Sequence, residues 1–253
     1  MLSRRVIACL DVKDGRVVKG TRFVNLRDSG DPVVLAERYE AQGADEIVYL
    51  DISATDEGRG TLLDLVRRTA ERLFIPLTVG GGMRTVSDME RALRAGADKI
   101  AINSAAVQRP ALLTAAASRF GSQCVVSSID ALKREASWEV YVNGGTQPTG
   151  LDAIEWAKGC TALGAGEILL TSIDRDGARS GYDLELVSRV SRAVSVPVVA
   201  SGGAGSAGDV ADAFVRGGAD AALLAGVLHD GTIDIRSVKS ALVAAGIEVR
   251  SAA

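Results

Sequence analysis

The stretch Val79-Gly80-Gly81-Gly82, the helical pattern over 86–95, the cap Gly96-Ala97-Asp98 and the strand-like run Lys99–Asn103 make one complete strand–helix–strand unit. It returns later in the chain. Ala200-Ser201-Gly202-Gly203 stands 121 positions on, a helical pattern over 206–217 follows it, and Gly218-Ala219-Asp220-Ala221 answers Gly96-Ala97-Asp98-Lys99 at an offset of 122. Two further matches keep the order: Ala8-Cys9-Leu10-Asp11-Val12 with Ser127-Ser128-Ile129-Asp130-Ala131, and Ala44-Asp45-Glu46-Ile47 with Ala165-Gly166-Glu167-Ile168. Repeats at a fixed long period mean a duplicated architecture.

Working outward, short β-branched runs at Arg5–Asp11, Glu46–Ile52, Ile75–Val79, Lys99–Asn103, Gln123–Asp130, Glu167–Thr171, Val196–Ser201 and Ala221–Ala225 alternate with amphipathic stretches. The helical patterns lie near 31–43, 59–73, 86–95, 108–119, 151–164, 183–194, 206–217 and 234–245. Gly43, Gly96, Gly164 and Gly218 sit where a left-handed C-cap belongs. Eight such units predict an α/β protein, a (β/α)8 TIM barrel built from two fused half-barrels, roughly 1–121 and 122–253, forming one domain over 1–253. An open doubly wound sheet is the plainer alternative. The segments Lys13–Gly30 and Leu132–Gly150 alternate like strands and read as hairpin excursions on the catalytic face.

Composition narrows the function classes. Apolar residues are 47% and charged residues 24% of 253, enough for a full core without staples. A net charge of −3 and 4% aromatics argue against nucleic acid. No apolar run suits a signal peptide or a membrane span. Cys9, Cys124 and Cys160 are odd in number and scattered, and read as reduced residues of a cytosolic protein. With His229 the sole histidine, chemistry falls to carboxylates, lysines, hydroxyls and backbone; no metal and no cofactor are expected.

Asp11 and Asp130 end the two lead strands, which face each other across the barrel, so both point into one mouth. Such a pair can divide acid and base work, although a strand-end Asp also serves as a turn cap. The segments Gly80-Gly81-Gly82 with Asn103-Ser104, and Gly202-Gly203 with Ala225-Gly226, read as two anion cups on opposite sides of the mouth, or as tight turns only. Two cups imply a ligand with a phosphate at each end. Strand parity places Arg5, Glu46, Lys99 and Glu167 at the opposite end of the barrel, as a solvated ion-pair network or as a polar gate. Lys19 reads equally as a phosphate partner and as a surface lysine. His229 lies near the second cup as donor or as packing, and Trp138 and Trp156 as packing.

The run from Ala8 to Gly20 (ACLDVKDGRVVKG), with Phe23-Val24-Asn25-Leu26-Arg27-Asp28, resembles the cyclase subunit of imidazole glycerol phosphate synthase. The resemblance continues through Leu77–Gly82, Ile102–Val107, Gly150–Ala153, Leu169–Gly177 and Ala200–Gly205, essentially the whole chain. It implies a step of histidine biosynthesis: ammonia from a partner glutaminase and phosphoribulosyl-formimino-AICAR ribonucleotide give imidazole glycerol phosphate and AICAR. It implies Asp11 and Asp130 as acid and base, and Lys19, Asp51, Asn103, Thr171, Asp176 and Ser201 as substrate contacts. One phosphate would fall to Gly82, Asn103 and Ser104, the other to Gly177, Gly203, Ala225 and Gly226. Arg5, Glu46, Lys99 and Glu167 would gate ammonia from a separate glutaminase chain docked at the N-terminal face. Gly226 departs from the family, which usually has a serine there, and the loss of a hydroxyl bears on that cup. The rivals are the sister isomerase of the same pathway, which needs no nitrogen donor, and a non-catalytic binder, which would not need both aspartates.

Overall fold

Local sequence sets the helix starts. Thr85 caps the helix Val86–Ala95 through a capping box with Asp88, and Ser206 with Asp209 does the same for Ala207–Val215. Asp31 and Asp152 each accept two backbone amides at the starts of Pro32–Ala41 and Ala153–Ala162. Each cap of this kind contributes about 1 kcal/mol. At the other helix ends Gly43, Gly96, Gly164 and Gly218 all have positive φ, between 72 and 117°, the left-handed geometry that favours glycine.

The computed structural model describes residues 3–21, 24–52 and 56–250. In chain order the elements are β1 (Arg5–Lys13), β2 (Arg16–Thr21), β3 (Val24–Gly30), α1 (Pro32–Ala41), β4 (Glu46–Asp51), α2 (Asp56–Ala70), β5 (Leu77–Gly80), α3 (Val86–Ala95), β6 (Lys99–Ile102), α4 (Ser104–Gln108) and α5 (Ala111–Phe120). The second half follows with β7 (Val125–Arg134), β8 (Ser137–Val142), β9 (Gln147–Asp152), α6 (Ala153–Ala162), β10 (Glu167–Ser172), α7 (Leu184–Ala193), β11 (Val198–Ser201), α8 (Ala207–Val215), β12 (Ala221–Leu224), α9 (Gly226–His229) and α10 (Ile235–Ala244). β1, β4, β5, β6, β7, β10, β11 and β12 pair in parallel in that order, and β12 closes on β1. This is a closed (β/α)8 barrel.

Polar side chains trim the strand starts. Asp45 accepts from the Val6 amide at 2.7 Å, Asp98 from Leu77 at 2.8 Å and Asp220 from Val198 at 3.0 Å, each tying one strand to its neighbour. The fourth equivalent position is Gly166, where a Cβ would lie 2.2 Å from the Ser122 carbonyl oxygen. Lys239, buried on α10, pairs with Asp45 at 2.7 Å and donates to the Arg250 carbonyl, fastening the chain end under the barrel.

Both hairpin excursions form. β1 runs past Asp11 and pairs antiparallel with β2, Asp11 facing Val18; β7 runs past Asp130 and pairs with β8, Asp130 facing Tyr141. Each of these aspartates therefore stands where a strand leaves the barrel wall. Two departures from the sequence reading concern the segments after β6 and β12. These are not simple turns but the short helices α4 and α9, entered through Asn103 (φ −119, ψ −94) and Ala225 (φ −133, ψ −88). The β7 strand also starts later than expected, because Ser122–Cys124 form a 3₁₀ turn. Trp138 is buried and Trp156 packs partly buried on the core. The three cysteines are unpaired, Cys9 and Cys160 buried and Cys124 half-buried. Among the described residues no helix is long and apolar enough to cross a membrane.

Candidate active site

At the C-terminal mouth Asp11 and Asp130 are part-buried, and their hydrogen-bond partners among the described residues are Cys9 and Asn103. Burial, then the charge of Asp176, then that of Asp130 push the Asp11 carboxyl up to about 7. Burial and Asp176 push Asp130 up to about 7 as well, against the opposing effect of a hydrogen bond from Asn103. That bond runs from Asn103 Nδ2 to Asp130 Oδ2 at 2.8 Å, while the Asn103 Oδ1 is buried without a partner among the described residues. Beneath them the Cys9 thiol lies 4.0 Å from Asp11, and burial and Asp11 hold it protonated. Two carboxyls near neutrality can exchange roles at pH 7, one holding a proton while the other accepts one.

A cavity of about 300 Å³ opens beside Asp11. Asp176, Gly177, Ser201, Gly203, Ala225 and Gly226 line it, together with Val18, Arg179 and His229. The backbone here is close-fitted: Gly203 has φ +111, and a Cβ on it would lie 2.2 Å from the Gly181 carbonyl oxygen. Thr171 sits in register between Asp130 and Ser201, so these three share one level of the wall. The sites expected for the other cup are not part of this cavity. Gly82 has φ +65 with open space around its missing Cβ, and next to it Gly81 packs so tightly that a Cβ would meet the Asp51 carbonyl oxygen at 2.0 Å. Ser104 Oγ accepts from the Asn143 amide at 3.0 Å, which joins the start of α4 to the β8–β9 turn. Lys19 falls on β2 opposite Arg27, and its side chain lies outside the described residues.

At the other end of the barrel Arg5, Glu46, Lys99 and Glu167 meet in a closed alternating ring. Arg5 pairs with Glu46 at 2.8 Å and with Glu167; Lys99 pairs with Glu46 at 2.8 Å and Glu167 at 2.7 Å. Burial would raise Glu167, but Arg5 and Lys99 outweigh it and hold the carboxyl below its ordinary value. Thr78 adds a further donor, to Glu46 Oε1 at 2.5 Å. Between ring and mouth Ile7, Cys9, Val48, Ala101, Val126, Leu169, Val199, Ala221 and Leu223 form a separate apolar core inside the barrel.

Several contacts lay beyond the sequence reading. The Tyr39 hydroxyl, a phenol that burial pushes up to about 12, hydrogen-bonds His229 Nδ1 at 2.7 Å across 190 positions. Trp138 donates from Nε1 to Asp183 at 2.8 Å, with Lys133 Nζ 4.9 Å and the Arg189 guanidinium 5.2 Å from its ring centroid. Asp183 also caps α7, so the hairpin and the loop carrying Asp176 share one anchor. Residues so distant in sequence have no spacing that could have paired them; only the indole's need for a buried acceptor was foreseeable.

A (β/α)8 barrel with two near-neutral acids at the C-terminal ends of β1 and β7, beside a cavity floored by glycine backbone, has the organisation of an enzyme site of this fold. Residues 5–234 match the model of a family described as histidine biosynthesis protein. The chain is 66% identical over 99% of both chains to imidazole glycerol phosphate synthase subunit HisF of Myxococcus xanthus. To the proteins of that name from Metallosphaera sedula and Hyphomonas neptunium it is 59% and 57% identical, over 99% of this chain and all of theirs. The chain belongs to this family of histidine-biosynthesis barrels, within its imidazole glycerol phosphate synthase HisF branch.

Proposed function

We propose that the protein is the cyclase half of an imidazole glycerol phosphate synthase. It would combine ammonia with phosphoribulosyl-formimino-AICAR ribonucleotide and release imidazole glycerol phosphate and AICAR. The observation that carries this reading is the pair Asp11 and Asp130, both pushed up to about 7 at one mouth. Ammonia attacking a carbonyl carries a proton too many, and an amine leaving a broken C–N bond needs one. A protonated and an ionised carboxyl at one mouth meet both needs at neutral pH.

The remaining roles complete the reading. Gly177, Gly203, Ala225 and Gly226 offer backbone amides to one phosphate, and Gly82, Asn103 and Ser104 to the other. Lys19, Asp51, Asn103, Thr171, Asp176 and Ser201 contact the body of the substrate. Arg5, Glu46, Lys99 and Glu167 gate ammonia from a separate glutaminase chain at the N-terminal face; the apolar core above the ring supports a dry passage, in which neutral ammonia stays unprotonated. Phe74, 94% exposed in the loop before β5, lies on that same face. The matched backbone at Asn103 and Ala225 and the matched capping boxes support descent of the halves 1–121 and 122–253 from one duplicated unit in a single domain.

The test is turnover with an ammonium salt alone at alkaline pH, then with glutamine and a candidate glutaminase. Nitrogen-dependent release of AICAR is the expected result. Conversion of a two-phosphate substrate with no nitrogen donor would instead favour the isomerase, and full turnover by both Asp11→Asn and Asp130→Asn would remove the acid/base assignment.

A further inference from the structure

Arg179 is one of the four non-glycine residues with positive φ among the described residues, at +53°. A side chain in this left-handed conformation is disfavoured unless the surroundings or a function hold it there. The segment around it is pressed onto the loop after β11: a Cβ on Gly205 would lie 2.4 Å from the Arg179 carbonyl oxygen. Its guanidinium pairs with Asp230, the residue that ends α9, and both side chains remain nearly two-fifths exposed, at 39% and 38%. An ion pair so open to solvent adds too little to explain a strained backbone.

The position of Arg179 supplies a better reason. It lines the cavity beside Asp11, and among the described residues lining that cavity it is the sole arginine or lysine. Asp11 and Asp176 lie on the same walls, so an anion entering meets two carboxyls and the glycine amides of Gly177, Gly203 and Gly226. Backbone dipoles orient a phosphate, but a fixed cation is what offsets two nearby acids, and a guanidinium can bind phosphate with two parallel bonds.

We infer that Arg179 is a phosphate-binding residue of the second cup, held in waiting by Asp230 and transferred to the ligand when the phosphate arrives. This inference rests on the cyclase reading for the identity of the ligand, not for the presence of the anion site. Asp230 is then a competitor for the guanidinium, and its removal frees the arginine.

Three variants test it: Arg179→Gln, Arg179→Gly and Asp230→Asn. Steady-state kinetics with an ammonium salt as nitrogen donor should show KM for the two-phosphate substrate raised at least 10-fold in R179Q, with kcat changed less than 3-fold. R179G should raise KM equally while raising Tm, because glycine accepts the positive φ. D230N should leave KM equal or lower. A purely structural role for the ion pair predicts the opposite pattern, with R179G and D230N both less stable and D230N impaired as much as R179Q. That pattern, or a KM in R179Q within 2-fold of the parent, overturns the inference. Calorimetric titration with inorganic phosphate separates the two claims: a parent that binds phosphate at least 10-fold more tightly than R179Q supports the anion site even if no cyclase turnover is seen, and equal binding by both refutes it.

Discussion

The barrel buries acidic pairs at both ends and treats them in opposite ways. At the floor Glu46 and Glu167 face Arg5 and Lys99, two charges of each sign in alternation, and Glu167 is held in its ionised form. At the mouth Asp11 and Asp130 have each other and Asp176 as charged neighbours, and both are pushed up to about 7. Similar side chains on different strands of one barrel thus become fixed charges at one end and exchangeable protons at the other. The difference lies in the counterions and not in depth alone.

The largest expected effect is on turnover. Asp130→Asn or Asp11→Asn should lower kcat by about 10²–10⁴-fold, the usual contribution of a general acid or base, whereas Lys99→Met should spare the chemistry measured with ammonium salt; equal losses at both ends would erase the distinction. On stability the order reverses. Arg5→Met leaves two carboxylates with one cation and should cost about 3–5 kcal/mol, read from the shift of the urea midpoint. At the mouth, substitution should stabilise. With folded values near 7 against ordinary values near 4, Asp11 and Asp130 favour the fold fully below about pH 4 and lose that contribution as pH rises through about 7. Asp130→Asn should therefore raise stability at pH 8 on the order of 2 kcal/mol, discounted for the solvent-facing side, and by almost nothing at pH 4. Melting curves at those two pH values check the sign. The smallest effect is at the shared anchor: Trp138→Phe loses the indole bond to Asp183 and should cost about 1 kcal/mol, with the floor ring unaffected.

Much of this contrast could be read before any coordinates. Parity along single strands is enough to put Arg5 and Asp11 on one face and at opposite ends, because side chains alternate strictly. The same parity on β6 and β10 brought Lys99 and Glu167 into the layer of Arg5. What the sequence left unread needs a closed barrel first. Thr78 donates to Glu46 from a neighbouring strand, Tyr39 meets His229 from the far end of the chain, and Arg179 meets Asp230 across two loops. Loop conformation was equally hidden: nothing in Ile102-Asn103-Ser104 distinguishes a turn from the first residues of α4, since the unusual ψ of Asn103 is imposed by the β6–α4 junction and not by its own preference.

The imidazole that Tyr39 holds is unique in the 253 residues. In a proton NMR spectrum recorded after amide exchange in D2O its C2 hydrogen is therefore the one imidazole C2 line, from a ring on the wall of the cavity beside Asp11. The molecule carries its own occupancy gauge, and a titration followed at that single frequency reports filling of the chamber in the intact, unmodified chain.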